Sequence, residues 1–418
     1  MNGGARRNTL AAFEFRSFRF QWPADLCTSW AFEMETLMLG WYVLVETKSV
    51  LMLTIYASMQ YVGTLLAPMF GVVGDRIGQP KLLSTMRGIY SVSAGLIMTL
   101  ALTGLLTPYL VLCIAVVMGM VRPSDIGMRT ALAGESVPKT HLMSAMGIQR
   151  TTQDSARLAG ALSGAGLMAA LGMGPAYAAV FCLYTTSFLL TLQTGSPKSA
   201  EAPPKAPRVQ SPWRDLKEGL AYVWGTPYLQ GTMLLALLLN MTAFPLANAL
   251  QAVVVKQVYG GNQTLLGYMV ACNAAGAVFG SIVLSRFSGR LRTSRLMIYG
   301  SAIWYLILLV YSQIDRAPLG MITLFIAGNA QAIGLVSMAT LLLQNSDQKY
   351  RGRIMGVRML AIYSNMPGIL LAGFLIPRIG FAATAAGYCV FGFVATVAIV
   401  YYWRASLWYD EAPVPSSR

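Results

Sequence analysis

Charge is what this sequence has least of. Asp, Glu, Lys and Arg make up 11% of its 418 residues, against about 25% in an ordinary soluble domain. A chain this poor in charge cannot cover a water-facing surface. With 56% hydrophobic residues it reads as an integral membrane protein, which excludes a secreted module, a disordered chain and a conventional soluble enzyme. There is one histidine, His141, so no metal centre or haem is expected and no cofactor is called for. The five cysteines, Cys27, Cys113, Cys182, Cys272 and Cys389, fall in apolar runs with no pairing pattern or metal-ligand spacing. No G-x-x-x-x-G-K-[ST] loop is present, which argues against ATP drive. No histidine–carboxylate or nucleophile constellation points to an enzyme. The basic first 20 residues are not followed by a short apolar core and a small-residue cleavage site, so no cleavable leader is expected.

What is there is a series of long apolar runs. A helix needs about 20 mainly apolar residues to cross the hydrocarbon core. Twelve runs qualify, near 23–45, 49–73, 84–105, 107–129, 144–171, 175–194, 229–254, 264–287, 295–313, 318–345, 354–376 and 381–403. Most connections are short. The exception is 195–228, rich in Pro, Ser and charge and without an apolar period, which reads as a flexible cytoplasmic linker. The expected organisation is therefore a six-helix bundle over 1–194, the linker, and a second six-helix bundle over 229–418 that ends in a short tail.

The net charge of +15 could suggest nucleic acid, but basic residues also collect in the cytoplasmic connections of membrane proteins. With a cytoplasmic N-terminus, the outward connections hold Lys48, Lys256, Arg316 and Arg378. That is four of 31 basic residues, leaving 27 inside. Both termini are expected in the cytoplasm, and no nucleic acid is needed to explain the charge. The two halves also carry a weak repeat. At an offset of 209 residues Gly71 matches Gly280, Gly119 matches Gly328, Gly147 matches Gly356 and Gly164 matches Gly373, on corresponding helices of each half.

The connection after the second span reads GVVGDRIGQPK, residues 71–81. It resembles the signature loop of the major facilitator superfamily, G-x-x-x-D-R-x-G-[RK]-[RK], matching at Gly71, Asp75, Arg76 and Gly78. Gln79 and Pro80 stand where the family has its basic pair, and Lys81 supplies a positive charge one position late. The second half keeps Gly280, but Leu284 replaces the aspartate. Further stretches, FRSFRFQWPADLCTSWAFE (15–33), RPSDIGMRTALAGESVPKTHLMSAMGIQR (122–150), DLKEGLAYVWGTPYLQG (215–231) and RGRIMGVRMLA (351–361), resemble the twelve-helix drug and siderophore exporters of that superfamily, the macrolide-efflux and enterobactin-exporter-like group. The resemblance implies an all-α major facilitator fold, two pseudo-symmetric six-helix bundles and alternating access in a bacterial-type cytoplasmic membrane. It implies a monomer that meets a small-molecule substrate, protons and membrane lipids. It also implies that Gly71, Asp75, Arg76, Gly78 and Lys81 act as a latch between the halves, with Arg358 as a partner for Asp75.

Ionisable residues inside spans are costly and are functional candidates by default. They crowd the first half: Asp25, Glu33 and Glu35 in span 1, Arg122, Asp125 and Arg129 in span 4, Asp154 and Arg157 in span 5. No acidic residue lies well inside a span of the second half. A proton-carrying group is therefore expected in the first half. Glu33 stands where the resembling exporters usually carry an acid after S-x-x-G, although Phe32 replaces the glycine here. Glu33 and Glu35 are about 200° apart around a helix and cannot both face one cavity squarely. The alternatives are a structural ion pair or a carboxylate near the outer interface. Arg122, Asp125 and Arg129 share one helix face, as do Arg150, Asp154 and Arg157, and the two faces can pair across a short connection. Arg122 stands where the superfamily often has an arginine implicated in proton transfer. Trp30, Tyr56, Asn240, Asn273, Asn329, Gln331 and Tyr363 are candidates for lining a cavity. The reading favoured is proton-coupled export of a small amphipathic molecule. The alternatives are a lysophospholipid or metabolite carrier of the same fold, or a transporter-like sensor or scaffold.

Overall fold

The computed structural model describes residues 16–65, 70, 77–136, 142–194, 212–287, 292–344 and 351–408. These residues form helices and turns, with no strand among them. The first half contains α1 (Arg16–Thr47), α2 (Val50–Met59), α3 (Gln79–Leu102), α4 (Pro108–Ser136), α5 (Leu142–Leu171) and α6 (Met173–Leu192). Next come α7 (Pro212–Trp224), α8 (Pro227–Ala247), α9 (Gln263–Phe287), α10 (Thr293–Tyr311) and α11 (Ala317–Gln344). The chain closes with α12 (Arg351–Tyr363), α13 (Asn365–Ile379), α14 (Phe381–Tyr402) and α15 (Arg404–Leu407). Nine of the described helical segments are long and apolar enough to cross a membrane. The segments of α1, α2 and α5 are not among them. The first and last carry the in-span charges, and α2 is only 10 residues long.

Several expected boundaries shift for local reasons. The 32 residues of α1 span about 48 Å, longer than the apolar run 23–45, because Arg16 and Arg19 add a polar first turn. Ser49 caps α2 by accepting from the Met52 amide at 3.3 Å. Part of the stretch expected to be a flexible linker is helical: Leu216, Leu220 and Val223 recur at helical spacing in α7, and Val223 is fully buried. The expected span 229–254 ends its regular helix at Ala247 and resumes at Gln251, running on into a π-helix over Val254–Val258. Pro245 explains the weakness. It lacks the N–H that would bond the Met241 carbonyl, and Gly368 of α13 packs directly on that carbonyl. The carbonyl of Ala247, freed by the break, accepts from the side-chain amides of Gln251 and Asn273. The expected span 354–376 is likewise interrupted at Ser364, whose hydroxyl donates to the Leu237 carbonyl at 2.9 Å.

By internal contacts the chain divides into two compact units. The first comprises Met1–Met38 and Leu65–Arg208, the second Leu39–Thr64 and Val209–Arg418. In the first unit α3 and α6 run antiparallel, with Gly88 facing Phe188, Gly95 facing Phe181, and the Ser91 and Thr185 hydroxyls 2.7 Å apart. Helix α1 lies against α5, where a Cβ on Gly160 would stand 2.6 Å from that of Glu33. Trp30 and Trp22 fix the same seam by donating to Ser163 and Thr152, each at 2.8 Å. In the second unit α9 and α11 meet backbone to backbone. Gly276 sits on the Phe325 carbonyl, Gly280 on that of Asn329 and Gly328 on that of Asn273. In the same unit α2 packs on α13 through Thr54 and Gly373, and the Asn365 amide donates to the Tyr61 hydroxyl at 3.0 Å.

Candidate functional site

Within the first unit α1, α3, α4 and α6 bring together six buried charges. Arg87, with no exposed surface, binds the Asp25 carboxylate and donates to Thr191 at 2.5 Å. Its Nε lies 3.8 Å from Asp125, which also pairs with Arg129 at 3.1 Å. Arg129 donates in turn to Ser29 at 2.8 Å. Nearly three turns beyond Asp25 on α1, Glu35 accepts from Arg122 at 3.0 Å, from Tyr184 at 2.6 Å and from Tyr177 at 3.0 Å. The two tyrosines are seven residues apart on α6 and so share a face. The Arg122 guanidinium stacks 3.6 Å above the Phe32 ring. Three carboxylates thus meet three guanidiniums in one buried, electrically balanced cluster. An unpaired charge at any of these positions would be severely penalised, which is why each has a partner.

Beside the cluster is a cavity of about 200 Å³. Phe32, Tyr90 and Tyr184 supply rings, while Glu33, Arg122, Asp125 and Arg129 supply charge. Glu33 is half-buried, and its carboxyl makes no hydrogen bond among the described residues. The nearby charges acting on it are Arg157 and Arg122, with Asp154 opposing. The Tyr90 hydroxyl is buried and unpartnered at the same cavity. Ligand sites are usually larger than about 300 Å³, so this space suits a head group or a few waters rather than a whole drug-sized molecule. Among the described residues no cluster of His, Cys, Asp and Glu could hold a metal.

The profile of the Major Facilitator Superfamily matches residues 26–367. The chain belongs to the major facilitator superfamily. Solved structures agree with this. A peptide transporter of the POT family, PepTSo, aligns over 94% of this chain and 99% of its own with a TM-score of 0.74 at 11% identity. The nucleoside transporter NupG covers 94% and 99% with a TM-score of 0.67 at 12% identity. A bacterial homologue of the human lysosomal transporter Spinster covers 94% and 96% with a TM-score of 0.63 at 15% identity. At such identities they share the fold and nothing finer. No curated protein matches the sequence. This major facilitator is a multi-pass membrane transporter and not an enzyme.

The facilitator's sequence-derived candidates separate clearly. Asp25, Glu35, Arg122 and Asp125 join the ion-pair cluster, and Glu33 joins the cavity. The α4 face has partners on α1, α3 and α6. Asp154 and Arg157 are half-buried on α5. Of the loop resembling the family signature, Gly71, Asp75 and Arg76 lie outside the described residues, as does His141. Gly78 takes a φ of +92°, which glycine alone adopts freely, and starts α3. Lys81 is exposed, and Arg358 is half-buried on α12. None of Trp30, Tyr56, Asn240, Asn273, Asn329, Gln331 and Tyr363 lines the cavity. Trp30 bonds Ser163, Asn240 bonds the carbonyl one turn back, and Asn273 satisfies the broken α8. Arg87 and the tyrosines escaped the sequence reading. The rule for in-span charges reaches Arg87, which looks like a helix-end residue only if α3 is started at 84 instead of Gln79.

Proposed function

We propose that this major facilitator is a proton-coupled secondary transporter that exports a small amphipathic molecule, and that Glu33 carries the coupled proton. One contrast supports the reading. Asp25 and Glu35, on the same helix, are held by Arg87 and by Arg122 with two tyrosines, whereas Glu33 faces a cavity without a hydrogen-bond partner. A carboxyl in such a place can change its protonation without dismantling a buried pair. Ionised Glu33 would hold a basic or hydrogen-bonding head group, with the Phe32, Tyr90 and Tyr184 rings against its apolar part. After access switches, a proton from outside would displace the substrate and return with the neutral carboxyl. Each elementary charge moved inward gains about 2.3 kcal/mol per 100 mV of membrane potential. The proposal includes two six-helix repeats, 1–194 and 229–418, joined by 195–228, with both termini cytoplasmic in a bacterial-type inner membrane. The resemblance to drug and siderophore exporters favours that substrate class.

The test uses purified protein in proteoliposomes and a panel of cationic, neutral and anionic amphipathic compounds, with and without an imposed pH gradient. Glu33→Gln should abolish gradient-driven accumulation while downhill exchange of a neutral substrate survives. Full gradient-driven accumulation by folded Glu33→Gln would refute the assignment.

A further inference from the structure

Three tyrosine hydroxyls are buried beside the charge cluster, and they are not equivalent. Tyr177 and Tyr184 both donate to Glu35, at 3.0 Å and 2.6 Å. Tyr90 packs its ring 5.4 Å from that of Tyr184 and is only 1% exposed, yet its hydroxyl has no partner among the described residues. A hydroxyl buried in that way is costly, and phenylalanine would supply the same ring without it. Tyr90 lines the cavity that also holds Glu33, whose carboxyl likewise makes no hydrogen bond among the described residues. One cavity in the first unit thus presents a carboxylate and a phenol, both with hydrogen-bonding capacity to spare.

Two of the cavity's three rings already face a cation of the protein itself. The Arg122 guanidinium lies 3.6 Å from the centre of the Phe32 ring and 6.0 Å from that of Tyr90, and Glu35 holds its charge at 3.0 Å. A quaternary ammonium, which binds through aromatic faces, would have to displace that guanidinium or sit against it. A protonated amine needs oxygens instead, because its N–H groups donate and both a carboxylate and a phenol accept. Resting on the reading that Glu33 meets the substrate, we propose that the head group is an ammonium with at least two N–H groups. One donates to the Glu33 carboxylate and another to the Tyr90 oxygen. Glu33 attracts any cation, and Tyr90 selects the N–H-bearing one over a fully alkylated one of the same charge. A cavity of about 200 Å³ admits the ammonium and the first carbons attached to it.

The experiment is titration calorimetry on purified full-length protein in detergent, at neutral pH and without a gradient. The probes are phenethylamine and phenethyltrimethylammonium, which share one body and one positive charge. Wild type should bind the amine about tenfold more tightly. Tyr90→Phe should lower the amine's affinity about fivefold, the worth of one net hydrogen bond, and move the trimethyl probe by less than about twofold. It should also unfold at or above the wild-type denaturant concentration, because the hydroxyl it removes has no partner to lose. Glu33→Gln should weaken both probes. Equal binding of the two probes by wild type, binding of neither, or an unchanged preference in Tyr90→Phe overturns the inference. So does a destabilised Tyr90→Phe, or a Glu33→Gln that spares both probes. Gradient-driven accumulation judges the proton assignment separately. If Glu33→Gln accumulates substrate in full while the Tyr90→Phe split holds, that assignment fails and the head-group site stands.

Discussion

The first compact unit buries Asp25, Glu35, Arg87, Arg122, Asp125 and Arg129, each at 9% exposure or less. The second buries no Asp, Glu, Lys or Arg among its described residues, and its interior polarity consists of amides and hydroxyls such as Asn240, Gln251, Asn273 and Gln331. Their helix contacts differ in kind as well. In the first unit guanidiniums reach across from α3 and α4 to carboxylates on α1. In the second, glycines of α9, α11 and α13 let backbones touch. The charged arrangement is expensive to assemble, while the glycine arrangement is inexpensive to assemble and carries no charge. Among the described residues, the fully buried charges therefore all belong to the first unit, while the second is packed through glycines, amides and hydroxyls.

The contrast can be broken most directly at Arg87. Arg87→Met strands Asp25 and leaves Asp125 with one partner instead of two, and should cost about 3–5 kcal/mol in chemical unfolding followed in detergent. Adding Asp25→Asn should recover part of the loss. Unfolding of Arg87→Met at the wild-type denaturant concentration would show that the ion pairs do not hold this unit together. A smaller effect is expected where backbones touch. Gly276→Val pushes against the Phe325 carbonyl and should cost about 1–3 kcal/mol in the same assay. Gly166→Ala has open space around its Cβ position and serves as the control, expected to match wild type or exceed it slightly. The smallest effect belongs to a neutral hydrogen bond of the second unit. Thr242→Val removes the 2.6 Å contact with the Tyr305 hydroxyl and should cost about 0.5–1.5 kcal/mol. A loss at Thr242 as large as that at Arg87 would erase the distinction between the units.

The spans were legible because hydropathy is a property of contiguous residues, and so was the crowding of charge in the first half. The pairing was not. Glu35 and Arg122 are 87 residues apart, and nothing in a one-dimensional pattern reports which face of α1 meets which face of α4. Glu33 and Glu35 could be placed on different faces by helix geometry alone, but their separate surroundings came only from α6 and its two tyrosines. The interruptions were partly visible. Pro245 marks a weak point in its span, and Pro367, which has no N–H for the Tyr363 carbonyl, marks the break at Ser364, whose hydroxyl reaches the neighbouring α8 only in the fold. Helix α7 was hidden by the Pro, Ser and charge that precede it, which mask a short apolar stripe.

The Asp25–Arg87 pair also has a consequence for inheritance. Arg87 has no exposed surface and Asp25 only 4%, so losing Arg87 first strands Asp25 in the interior, and losing Asp25 first leaves Arg87 only the longer 3.8 Å pairing with Asp125. A lineage moving from this pair to an uncharged one must pass through a poorly folding intermediate. Selection therefore acts on two codons, 62 positions apart in the gene, as though they were a single locus.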